Sequence, residues 1–89
     1  MKTELKRILD TEYRILAIQT RQRLELTQRE MGVRLMMTES SYSDIETGHA
    51  GCGTLTQFLL LEMQEKPEVF IREVSVKFAA CCEAEMQSV

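Results

Sequence analysis

Two helix-start signals eleven residues apart, at Thr27 and Thr38, constrain this chain more than any other feature of it. Thr27-Gln28-Arg29-Glu30 has the form of a capping box: the threonine hydroxyl accepts from the backbone N–H three residues on, and the glutamate carboxylate reaches back to the threonine N–H. A helix beginning there carries Met31 and Leu35 inward and reaches about Met36. Thr38 then offers a second N-cap, for a helix that holds Tyr42 and Ile45. The two helices are short and almost abut.

The flanking segments are helical by the same reasoning. From Thr3 to about Leu24, Leu5, Leu9, Tyr13, Leu16, Ala17, Thr20 and Leu24 recur at steps of three and four, one stripe of a long first helix. Ile8, Ile15 and Ile18 lie beside or off that stripe, so more than one face needs a cover, from the chain's own C-terminal segment or from a second subunit. GHAGCG, residues 48–53, is the clearest loop. Thr54-Leu55-Thr56-Gln57 repeats the capping-box form, opening a fourth helix in which Leu55, Phe58, Leu59 and Glu62-Met63 set the rhythm. Pro67 suits a helix first turn and Glu68 its positive N-terminus, giving a fifth helix from Pro67 to about Ala84 and a frayed tail from Met86 to Val89. Val74 to Phe78 alternates as a half-buried strand would, but Phe70, Val74, Phe78 and Cys81/Cys82 also form a helical stripe, and the flanking alanines and glutamates favour helix. The expected fold is all-α, with five helices.

With 89 residues, 44% hydrophobic and 28% charged, the chain has the composition of one small folded domain. Its apolar runs, such as Phe58 to Leu61, are far below the roughly 18 residues of a membrane span, and no apolar run follows the N-terminal lysines, so neither a membrane nor a secreted location is expected. Three cysteines, two of them adjacent and none in a CxxC pair, argue against a zinc site or a disulfide framework and for reduced thiols in a cytoplasm. A single histidine, and no phosphate loop, HExxH or GxSxG string, leave no basis for catalysis, a cofactor or a metal, so a binding function is expected. The net charge of −3 conceals an asymmetry: residues 1–38 carry eight Lys/Arg against five Asp/Glu, and residues 39–89 three against nine. Arg14, Arg21, Arg23, Arg29 and Arg34 supply either a phosphate-facing surface or a solvated charged face.

The segment RQRLELTQREMGVRLMMTESSYSDIETG, residues 21–48, resembles the lambda-repressor/Cro-like (Xre-type) helix-turn-helix family. The resemblance rests jointly on Arg21, Leu26-Thr27-Gln28, Glu30-Met31-Gly32, Leu35, Thr38, Tyr42 and Ile45-Glu46-Thr47-Gly48. It implies a helix-turn-helix domain over residues 1–64, with 65–89 a C-terminal helical extension. It further implies a core of Leu26, Met31, Leu35, Met37, Tyr42, Ile45, Leu55 and Leu59, and a partly buried ion pair between Arg21 and Glu46. Gly32 would let the second helix approach the third, and Met36 would occupy the usual turn-glycine position, where φ > 0 costs of order 1 kcal/mol.

In that family the third helix enters the major groove and the second presents its N-terminus to a phosphate. The resemblance therefore assigns DNA contacts to Thr27 and Gln28 at the phosphate, to Glu39, Ser40, Ser41 and Asp44 at base edges, and to Thr38 or Ser43 near the sugar-phosphate edge. Two carboxylates on the groove-facing helix work against affinity, and a solvated helix face is the competing reading. The expected function is a cytoplasmic transcriptional regulator, a repressor acting as a homodimer on a palindromic operator of double-stranded DNA. Phe70, Ile71, Val74, Phe78 and Cys81 are the expected dimer contacts, with an intramolecular core as their alternative. A second reading keeps the fold but binds another protein; residues 53–74, GTLTQFLLLEMQEKPEVFIREV, loosely resemble HigA-type antitoxins, whose partner is a toxin.

Overall fold

The computed structural model describes the backbone of residues 2–87 and the side chains of residues 4–83. Five α-helices follow in order: α1 (Lys2–Arg23), α2 (Gln28–Arg34), α3 (Glu39–Thr47), α4 (Thr54–Glu62) and α5 (Pro67–Gln87). No strand occurs among the described residues, so the alternating stretch at Val74 to Phe78 is helical, carried by the helix-forming alanines and glutamates around it. The expected frayed tail is helical through Gln87; Ser88 and Val89 lie outside the described residues.

Each helix boundary has a local cause. Helix α2 starts with the complete capping box, Glu30 N–H donating to Thr27 Oγ1 at 3.1 Å and Thr27 N–H to Glu30 Oε1 at 3.0 Å. Helix α3 starts with Thr38 Oγ1 accepting from Ser41 N–H at 3.1 Å. Both α1 and α2 end in a Schellman turn. After α1, Leu26 N–H reaches Arg21 C=O and Glu25 N–H reaches Gln22 C=O; after α2, Met37 N–H reaches Gly32 C=O and Met36 N–H reaches Val33 C=O. The left-handed residue in each turn is not glycine: Glu25 has φ 55° and Met36 φ 61°. Gly48, at φ 85°, closes α3 in the ordinary way.

The core lies between α1 and the α2–α4 unit, and consists of Tyr13, Leu16, Ala17, Met31, Leu35, Tyr42, Ile45, Cys52 and Leu60. Leu26, Met37 and Leu59 pack against it partly buried, but Leu55 is 58% exposed and belongs to no core. The buried positions of α4 are Thr56 and Leu60, so the rhythm built on Leu55 and Phe58 is displaced by one residue. The helix start is displaced likewise: the expected box at Thr54 does not form, Gly53 is the N-cap without a side-chain bond, and Gln57 Nε2 donates instead to Cys52 C=O at 2.9 Å. Below α4, Gln64 Nε2 donates to Thr20 Oγ1 at 2.9 Å and Arg23 Nη2 to Met63 C=O at 3.0 Å, fastening the end of the helix to α1.

Helix α5 covers one side of α1 and leaves Ile15 41% exposed. It runs antiparallel along α1: the Phe70 ring meets Tyr13 at 4.8 Å between centroids, Val74 is buried, and Lys77 pairs with Glu12. Helices of 22 and 21 residues, each over about 30 Å long, give the molecule its 46 × 27 × 18 Å extents.

Candidate nucleic-acid interface

The site is built on the α2–turn–α3 unit, and the turn is held by contact rather than by its own flexibility. Gly32 is buried in α2 with little room for a side chain: a Cβ there would lie 3.0 Å from Met37 O and 3.1 Å from Thr38 O. The close approach is thus to the turn backbone leading into α3. Across it, Met31, Leu35, Tyr42 and Ile45 lock the two helices together from the inside.

One carboxylate fixes the angle of α3 against α1. Glu46 accepts from Arg21 Nε at 2.6 Å, from Arg21 Nη2 at 3.2 Å, from Gln28 Nε2 at 3.0 Å and from the Tyr42 hydroxyl, while Arg21 Nη1 also donates to Leu26 C=O at 3.2 Å. The pair is largely removed from water, with the Glu46 side chain 9% exposed and that of Arg21 22%. Burial pulls the Glu46 carboxyl upward, but the hydrogen bonds from Arg21, Tyr42 and Gln28 outweigh it and hold it below its ordinary value. Burial, followed by the bond to Glu46, pushes the Tyr42 phenol well up. The donors come from α1, α2 and α3 itself, so this clasp joins three helices.

With its inner side fixed in this way, α3 turns the remainder outward. Glu39, Ser40, Ser41 and Asp44 are exposed, as is Thr38, and Ser43 is half-buried. Not all are equally available for a ligand. Thr38 Oγ1 donates to Ser41 Oγ at 3.0 Å while accepting from Ser41 N–H, so these two hydroxyls are engaged in the cap. Ser40, Glu39 and Asp44 make no side-chain hydrogen bond or ion pair among the described residues. Thr27 is exposed at the start of α2, its hydroxyl oxygen accepting from Glu30 N–H in the box. Gln28, the expected phosphate ligand, is half-buried and its amide nitrogen is given to Glu46. That role was hidden in the sequence because the partner lies 18 residues away.

Charge around this face is mixed. Helix α3 carries Glu39 in its first turn and no basic residue in its last, whereas α2 contributes exposed Arg29 and Arg34. The first α3–α4 loop residue with a polar ring, His49, is held by Thr47 Oγ1 at 2.7 Å from Nδ1.

The residues expected at a dimer contact divide. Phe70 and Val74 are directed onto α1 within the chain; Phe78 and Cys81 are half-buried, and Ile71 is 49% exposed. No group of His, Cys, Asp and Glu among the described residues is arranged to hold a metal ion, and no described helix is long and apolar enough to cross a membrane. No protein-family model matches the chain, and neither a curated protein nor a solved structure is significantly similar to it.

Proposed function

We propose that this chain is a lambda-repressor/Cro-like helix-turn-helix protein that binds double-stranded DNA in a sequence-specific manner and regulates transcription from the cytoplasm, as a repressor. The observation that carries this reading is the outward row Glu39, Ser40 and Asp44 on a helix whose inner side is clamped by Tyr42, Ile45 and the Glu46 clasp. A reading helix needs that combination: exposed donors and acceptors on a rigid mount. Ser40 can donate to or accept from several bases, while Glu39 and Asp44 accept from cytosine N4. The arginines of α2, with Thr27 and the α2 N-terminus, serve the sugar-phosphate backbone.

The protein acts as a homodimer on a palindromic operator. With Phe70 and Val74 engaged on α1, the second copy meets Ile71 and Phe78, seven residues apart on one side of α5. Selection of duplexes from a random-sequence pool tests both halves of the proposal. Enrichment of a palindrome with half-sites about 34 Å apart is expected. A single unsymmetrical site would remove the dimer, and no enrichment at low salt would remove DNA binding.

One observation favours a second reading. The acidic α3, lacking any lysine or arginine, suits a protein partner better than a polyanion, and a module of this fold that binds a toxin or another protein would need no phosphate contacts. Stable co-purification with the product of an adjacent gene, together with a failed duplex selection, would support it.

A further inference from the structure

A cavity of about 330 Å³ opens between α1 and the loop after α3, lined by Arg7, Asp10, Thr11 and Arg14 on one wall and by Thr47, Gly48, Ala50 and Gly51 on the other. It lies apart from the outward face of α3 and plays no part in the reading above. Asp10 and Arg14 stand four residues apart on one helix, the spacing and order at which a carboxylate and a guanidinium ordinarily pair. They do not pair here, and neither makes a hydrogen bond or ion pair with any described residue. The Asp10 carboxylate is instead laid against the loop: a Cβ on Gly51 would fall 2.6 Å from its Oδ1. Both groups are half-buried at the cavity wall, so each has lost part of its water without gaining a hydrogen bond or an opposite charge, the Cys52 thiol being the neighbour that feels Asp10.

We propose that this cavity binds a small zwitterion of the α-amino-acid class, with its carboxylate on Arg14 and its ammonium group on Asp10. The volume is at the lower end of small-molecule sites, which excludes a bulky ligand. The lining chemistry narrows the class further. Separated charges of opposite sign on one wall reward a ligand carrying both, whereas a phosphate or simple carboxylate would gain Arg14 but meet Asp10 in repulsion. Arg7 also lines the cavity, but its guanidinium is paired with Glu4 at 3.2 Å. The Thr11 hydroxyl remains for the polar side chain of a residue such as serine, that of Thr47 being engaged by Asp44 C=O and His49.

The test is a titration of the intact chain, followed by amide chemical shifts of residues 47–51, with L-serine, glycine, acetate, methylammonium and inorganic phosphate as separate probes. Saturable shifts with serine and glycine, and none with acetate, methylammonium or phosphate, are expected. Arg14→Gln and Asp10→Asn should each weaken serine binding by about tenfold or more, the loss of one charged hydrogen-bond partner. Circular dichroism on each variant verifies folding; if Asp10→Asn unfolds the chain, Arg14→Gln carries the test alone. Binding of phosphate in preference to serine, no shift with any probe at tens of millimolar, or serine binding unchanged in a folded Arg14→Gln variant would each overturn the proposal.

Discussion

At the scale of single residues, Glu46 does the most to position the candidate site, since one carboxylate serves donors on three helices. Its pKa is lowered by folding, so the stability it contributes is complete above its ordinary value of 4.5 and is lost as pH falls through the lower folded value. Thermal unfolding should therefore hold its midpoint from neutral pH to about 5 and drop below that. Arg21→Ala should cost about 3 kcal/mol near pH 7, because it leaves a buried carboxylate short of its cation, and should flatten the acid limb. A second residue works the other way. Met36 is 75% exposed and held at φ 61°, so its side chain contributes little packing while its backbone is strained. Met36→Gly should stabilise the chain by about 0.5–1 kcal/mol, after the added freedom of the unfolded state is subtracted, and urea unfolding measures it. The unusual backbone at Met36 was legible through the resemblance, which places the usual turn glycine there. The same demand at Glu25 was not, since nothing in Leu24-Glu25-Leu26 distinguishes a Schellman turn from a continuing helix.

At the scale of elements, the α2–turn–α3 unit was readable because its signals are local: a capping box within four residues and a threonine cap eleven residues on. Helix α4 was misjudged for the same reason. Thr54 and Gln57 satisfy the local pattern, but the Gln57 amide finds the Cys52 carbonyl and the helix rotates to bury Thr56 and Leu60, leaving Leu55 and Phe58 outside. Four apolar residues in a row, Phe58 to Leu61, permit either rotation, and only the tertiary contacts of α1 choose between them. Gly32 shows the converse, where tertiary contact overrides propensity. Alanine would favour the helix by about 1 kcal/mol, yet its Cβ would press on the carbonyls of Met37 and Thr38. Gly32→Ala should destabilise the chain by a net 1–2 kcal/mol or so, by overpacking at the turn, as denaturant titration would register.

At the scale of the whole molecule, the sequence indicated that α1 needs a cover but left two sources open, and α5 covers its Tyr13 side through Tyr13–Phe70, Val74 and the Lys77–Glu12 pair while Ile15 stays 41% exposed. The choice depends on which side of a 21-residue helix faces inward, and α5 has apolar residues on more than one side, so periodicity alone did not decide it. The covered α1 then acts as the spine to which α3 is clasped and α4 fastened, and the exposed row on α3 owes its rigidity to that spine. The most direct test of DNA reading by this row is fluorescence polarisation of a duplex taken from upstream of the chain's own gene, titrated at two salt concentrations with the unaltered chain and with Ser40→Ala. The expected result is a complex that weakens steeply as salt rises, and that is weaker still with Ser40→Ala at an unchanged melting temperature. No complex at the lower salt, or one that Ser40→Ala leaves unaltered, would contradict the assignment of DNA reading to α3.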